Sequence, residues 1–342
     1  MNQIYKVIWS RVKRCYVVVS EIAGRCGKNG GVASEKKSMP VRAFLCALAV
    51  TGCLLPGMAE AKTEYGPGAS ATGTASVAVG DDAKAAAVNS SAYGLKSKAL
   101  SSHSVAIGNE ASVGKGDPDP ESSQNGIAIG HGANVTVNPA TATPGITDKS
   151  GGIAIGHNAT TKDINTVALG TGTVGQGAQA VAIGRNAHTD GNNTVAIGNN
   201  TWVRSTNGFA LGNEARAGID EAGNIIGKDN DQAFGSNARA WGGSSMAFGN
   251  NAKAANGGAI AMGNGSQSRG DWGVAIGNGA KALADGARAL GANSTAKGVN
   301  STAIGWDSKS EADRGIAIGE TASVEDGTEH GIAIGTGAVS YT

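Results

Sequence analysis

Asp220, Glu221, Asp229 and Asp231 lie close together in this chain, and carboxylates so clustered would suit calcium, a hard cation held by oxygen ligands. Their spacing fits neither the twelve-residue helix–loop–helix calcium loop nor the calcium-binding nonapeptide repeat, so no metal is expected there. His103, His131, His157, His188 and His330 share no pattern with a carboxylate or cysteine, and read as solvated corners, not ligands or general bases. Trp202, Trp241, Trp272 and Trp306 lie near turns, where an exposed aromatic can anchor a partner, but nothing singles out one of them. The four cysteines, Cys15, Cys26, Cys46 and Cys53, all lie in the first 53 residues, so no disulfide can form beyond them. The 55 glycines form no phosphate loop, because they recur at a regular interval as turns. No catalytic constellation, cofactor site or small-molecule site results, and the chain is expected not to be an enzyme.

The regular interval organises the rest. Seventeen variants of the phrase Ser104-Val105-Ala106-Ile107-Gly108 run from Val77 to Gly335, most of them fourteen residues apart. Self-similarity at a short fixed period means stacked units that contact only their neighbours. The residue two before each closing glycine is alanine in all seventeen copies, and the residues on either side of it are mostly Val or Ile. Large, alanine, large is alternation with period two, the pattern of a short strand with two different faces. After the glycine come one or two polar residues, often Asn, and then a second short strand with Ala, Ser or Thr at the third position past the glycine, as at Ala111, Thr201, Ala252 and Ser308. Each coil is thus two strands and two tight turns. The predicted fold is all-β, a parallel β-roll or solenoid on the order of 80 Å long at about 4.8 Å per coil.

The facing of the alternating strand is a steric question, since the inside of so small a coil must be filled without voids. Placing Val and Ile inside against the small second strand fills it, and turns the unbroken alanine row outward. Such a row suits close approach of neighbouring chains, and makes Ala106, Ala154, Ala196, Ala275 and Ala317 candidates for an oligomer axis. The opposite assignment, alanine inward and Val/Ile at the seam, stays open.

Of the 28 Lys and Arg, nine lie at or before Ala61, leaving 19 beyond it; of the 27 Asp and Glu, three do, leaving 24, so the repeats carry a net charge of −5. That body has no overall electrostatic footprint for nucleic acid. Lys36, Lys37 and Arg42, the apolar run Ala43 to Leu55 and the small-residue box Ala59-Glu60-Ala61 read as an export signal at 31–61. Cleavage is expected after Ala61, leaving Lys62 first; the alternative is acylation at Cys53 within Val50-Thr51-Gly52-Cys53. Residues 62–75 read as a short segment ahead of the repeats, and 76–342 as the repeat domain.

Residues 1–30, with Tyr5, Lys6 and Trp9 ahead of Val17-Val18-Val19, resemble the extended signal-peptide region of large type V secreted proteins of Gram-negative bacteria. From Ser76 onward, fourteen-residue repeats built on Ser-Val-Ala-Ile-Gly and followed by Asn-x-Ala resemble the YadA-like heads of trimeric autotransporter adhesins. The resemblance implies a left-handed parallel β-roll, a homotrimer, display on the bacterial surface, and binding of host matrix or cell-surface proteins. It implies no cofactor. Such adhesins continue into a neck, a coiled-coil stalk and a membrane barrel, none of which is recognisable here, so the chain is expected to be a truncated product, a gene fragment or part of a split reading frame. A hexapeptide acyltransferase is excluded by its period of six; an ice-binding or structural solenoid is the alternative, though within the predicted coils only Thr171-Gly172-Thr173 is a clean Thr-x-Thr step.

The period is broken by insertions before Gly130, Gly156, Gly235 and Gly335, all in one phase of the coil. Insertions in one phase project from one edge of a solenoid. Ligand contacts are therefore expected in Lys115 to Gln124, Val135 to Ser150 and Gly218 to Asp231, unless those corners merely tolerate length.

Overall fold

The structure, a computed structural model, describes residues 5–10, 15–20, 62–114, 124–136, 151–226, 228–328 and 330–341. The chain divides into two units, Met1–Leu55 and Pro56–Thr342. In the first, β1 (Tyr5–Ser10) and β2 (Cys15–Ser20) pair antiparallel, Tyr5 opposite Ser20. The predicted export signal, with Ala59, Ala61 and Cys53, lies outside the described residues.

The second unit is a β-solenoid, as expected. Strands of three residues, from β3 (Thr63–Tyr65) and β5 (Val77–Val79) to β37 (Ile332–Ile334), alternate with strands of mostly two, from β4 (Ser70–Ala71) and β6 (Lys84–Ala85) to β38 (Val339–Ser340). Each pairs in parallel with its counterpart one coil away, alanine opposite alanine, as in Ala182↔Ala196 and Ala261↔Ala275. The result is two linear ladders of eighteen strands each. That is one coil more than the seventeen phrases predict. Residues 62–75, expected as a segment ahead of the repeats, form the first coil: Gly66 closes it at φ 123°, but Glu64 stands where the alanine should be and hides the repeat. The Glu64 carboxylate instead accepts a hydrogen bond from the Ala71 backbone N–H at 2.7 Å.

The closing glycine is demanded by contact as well as by conformation. At Gly277, φ is 134° and an added Cβ would lie 2.5 Å from the carbonyl oxygen of Gly291 in the next coil. The same close approach repeats up the column, so no L side chain fits. Two residues later the backbone turns left-handed, and there Asn, Asp or Gly is common because a short polar side chain tolerates that region. Asn186 and Asn200 occupy it at φ 54° and 53°, and the Asn186 amide donates to Asn200 at 3.1 Å.

The facing of the alternating strand differs from the expectation. Alanine, not Val or Ile, points inward. Ala106, Ala154, Ala196, Ala275 and Ala317 are each at 0% exposure within a single chain, while the flanking Val and Ile are half-buried or exposed on the outer face. They therefore cannot line an axis between chains. The physical reason is that two strands joined by tight turns leave a gap too thin for opposed branched side chains. The largest aliphatic side chains wholly inside are Val113, Val135, Val203 and Val324, all in the second strand. The next first strand is preceded in these four cases by Gly126, Gly152, Gly208 and Gly331. An added Cβ at Gly331 would meet Val324 Cγ1 at 2.7 Å, and one at Gly208 would meet Val203 Cγ1 at 2.7 Å. Large is thus set against small, but across a different pair of positions from the one expected. Some buried hydroxyls are satisfied within the turns, as where Ser76 donates to the Gly73 carbonyl at 2.6 Å, whereas others, among them Ser97, Ser268 and Ser310, have no hydrogen-bond partner.

Candidate functional site

With alanine inside, the outer face of the first sheet carries the large apolar side chains. Parallel in-register pairing stacks like on like: Val105 beside Ile127 and Ile107 beside Ile129. Ile107 is 39% exposed, Phe248 53% and Ile276 38%. Phe209 stacks on Phe234 at 5.0 Å, and Phe234 meets Phe248 at 5.8 Å with the rings tilted. Ser91, Gln232, Arg288 and Thr302 interrupt the stripe, all at the less demanding position ahead of the alanine. An apolar stripe running the length of a solenoid is larger than an isolated soluble chain normally leaves in water, and marks an interaction face.

The second sheet presents a polar outer face. In register along it stand His188, Trp202, Arg216, Arg239 and Lys253, one per coil. The His188 and Trp202 rings stack at 4.9 Å, and the Arg204 guanidinium lies 5.1 Å from the Trp202 ring centre. Burial pushes the His188 imidazole below its ordinary range, with Arg204 and Lys162 acting in the same direction and Asp190 opposing them.

The insertion Gly218 to Asp231 folds beside this face. An Ile219↔Ile225 bridge narrows it to a small bracket, with a shallow cleft lined by Glu221, Ala222, Trp241, Ala255 and Arg269. Its acidic residues converge on no common point. Asp220 accepts from the Asn224 backbone and side chain at 2.7 and 2.8 Å, which lowers its pKa. Glu221 pairs with Lys253 at 2.9 Å, and that hydrogen bond holds its carboxyl below the usual range. Asp229 uses its carbonyl to accept from Ser244, and Asp231 is fully buried, taking hydrogen bonds from Ser245 and Gly243. Among the described residues no group of three or more His, Cys, Asp or Glu is placed to hold a metal.

The remaining sequence candidates are scattered. His131 and His157 stack at 5.1 Å in adjacent coils; His103 and His330 sit at left-handed corners. Trp272, 74% exposed, occupies another such corner at φ 58° with its ring against Gly258, and Trp306 follows Gly305 in an exposed turn. Of the other two large insertions, residues 115–123 and 137–150 lie outside the described residues. Sequence reading missed the cationic row of the second sheet, although the fourth position past the closing glycine reads Arg216, Arg239 and Lys253 in succession.

No curated protein matches the chain. Residues 1–50 match the extended signal peptide of the type V secretion system. The YadA head domain repeat matches 71–97, 85–111, 149–173, 176–201, 233–252, 242–266, 268–294 and 296–322, together more than half of the sequence. With the repeat, its stacked register and the export region in agreement, the chain belongs to the trimeric autotransporter adhesins, as a member that carries YadA head repeats.

Proposed function

We propose that this protein is the head of a bacterial surface adhesin, homotrimeric along its length, that binds host extracellular-matrix or cell-surface molecules and catalyses nothing. The observation that carries this reading is the apolar stripe on the first sheet. Joining chains along it covers Val and Ile side chains that a lone solenoid leaves in water, at roughly 25 cal/mol per Å² of area removed. It also leaves the second sheet and its insertions outward, repeated in each chain, where weak contacts multiply by avidity. Export is followed by cleavage between Ala61 and Lys62; the first coil begins at Thr63, which supports a boundary just ahead of it. The test combines light scattering of the exported protein with its adhesion to matrix-coated surfaces. A trimer that adheres is expected. A folded monomer, or a trimer that adheres to no matrix or cell surface, would overturn the reading.

A further inference from the structure

We propose that the cationic row on the second sheet, centred on Arg216, Arg239 and Lys253, is a binding site for an extended sulfated polysaccharide. The three are direct neighbours across parallel strands, Arg216 beside Arg239 and Arg239 beside Lys253. Parallel register places their charges about 4.8 Å apart along the rod, an arrangement that like charges oppose and a polyanion relieves. Two further cations, Arg204 and Arg269, lie in the coils just before and after the row, at the sixth and not the fourth position past the closing glycine, and Arg204 is paired with Asp190 at 3.7 Å. Arg216 and Arg239 have no carboxylate within ion-pair distance among the described residues. The Arg216 Nε is buried with no hydrogen-bond partner, and the side chain as a whole is half-buried. The net charge of −5 over residues 62–342 conceals this local concentration.

The chain's own insertion shows how an anion seats there. Glu221 reaches across from the bracket, its carboxylate on Lys253 at 2.9 Å and its carbonyl accepting from Arg239 Nη1 at 3.3 Å. It fills one end of the row and leaves the Arg216 end open. Guanidinium forks match the paired oxygens of a sulfate ester. A linear polymer follows a straight row as a compact ligand cannot. Single-stranded nucleic acid is disfavoured because its bases need free aromatic faces, and the Trp202 ring is already engaged by His188 and Arg204. The inference deepens the adhesin reading by naming a ligand class, and it rests on that reading for the outward position of the second sheet.

The probe is a heparin oligosaccharide of defined length, titrated into the exported protein at near-physiological salt. Heparin is expected to bind, and more weakly as salt rises. The double variant Arg216→Gln, Arg239→Gln should weaken binding by about tenfold or more, since charge-assisted bidentate contacts are lost. Glu221→Gln should tighten it by about threefold by removing the internal competitor. Lys309→Gln, remote on the same sheet, should change it little, and all variants should melt with the parent. No binding by the parent, equal loss in Lys309→Gln, or equal affinity for single-stranded DNA of matched length would each overturn the assignment. Adhesion to matrix-coated surfaces that survives the double variant would refute this site while leaving the adhesin reading intact; a folded monomer would refute that reading and not this one.

Discussion

Ala275 and Ile276 are consecutive in the strand Val274–Ile276 and face opposite ways, so replacing each in turn separates the inside of the coil from the seam between chains. Ala275 is at 0% exposure. Ala275→Leu adds three carbons to a gap already closed, and overpacking of this kind costs typically about 1–3 kcal/mol within each chain. Ile276 is 38% exposed in the lone chain. Full burial of an isoleucine is worth about 1.5–3 kcal/mol, so the remainder that a neighbouring chain can cover is roughly 0.6–1.1 kcal/mol. Over three chains that is about 2–3 kcal/mol, or roughly 30- to 150-fold in the association constant, and Ile276→Lys loses it while bringing ammonium groups together at the seam. Thermal melts by circular dichroism and molar mass by light scattering, both over a dilution series, distinguish the two. Ala275→Leu should lower the melting temperature at every concentration, whereas Ile276→Lys should shift the dissociation of the trimer to higher concentration. A well-folded monomer from Ala275→Leu, together with an undisturbed trimer from Ile276→Lys, would show that alanine lies at the seam after all and refute the reasoning.

Three further outcomes follow from single contacts. Gly331→Ala should destabilise by about 1–3 kcal/mol because its Cβ meets Val324 Cγ1, and adding Val324→Ala should restore most of the loss; a double mutant no better than the single one would mean that the pair is not in contact. Burial raises the Asp231 carboxyl above its ordinary value of 3.8, against the hydrogen bonds from Ser245 and Gly243. The folded state then holds its proton more tightly than the unfolded one, so this contribution to stability is full below the unfolded value and is lost as pH rises through the folded value. Melting temperature measured from about pH 4 towards neutrality should contain that decline in the parent and lack it in Asp231→Asn; identical slopes would contradict it. Glu64→Ala removes the acceptor for the Ala71 N–H, a loss of about 1 kcal/mol confined to the first coil, and amide exchange at Ala71 should accelerate while the central coils stay protected. Uniform acceleration along the rod would instead make Glu64 a determinant of global stability.

Much of the architecture was legible in the residues because a solenoid converts sequence period directly into space. A fourteen-residue repeat must place Gly263, Gly277 and Gly291 in one column, and small residues such as Ala280 and Ser294 in another, whatever the coil's finer geometry. First coils and insertions were less legible, because they depart from the repeat: Glu64 replaces the expected alanine, and Glu221 meets Lys253 only after the chain has passed through two further coils. The inward face was not decided by alternation at all. Period two distinguishes two faces without saying which is inside, and the preference for burying large apolar groups points the wrong way here. What settles it is the separation of the two sheets, a tertiary distance that excludes isoleucine from the interior and admits alanine. A trace of that distance is written in the chain, since Val113, Val135, Val203 and Val324 are each followed by a glycine at the next coil's entry, but its meaning depends on knowing that those positions touch. Period and turn chemistry are local properties that the sequence carries by itself; the choice of face and the seating of a loop on a distant row depend on how closely the finished coils pack.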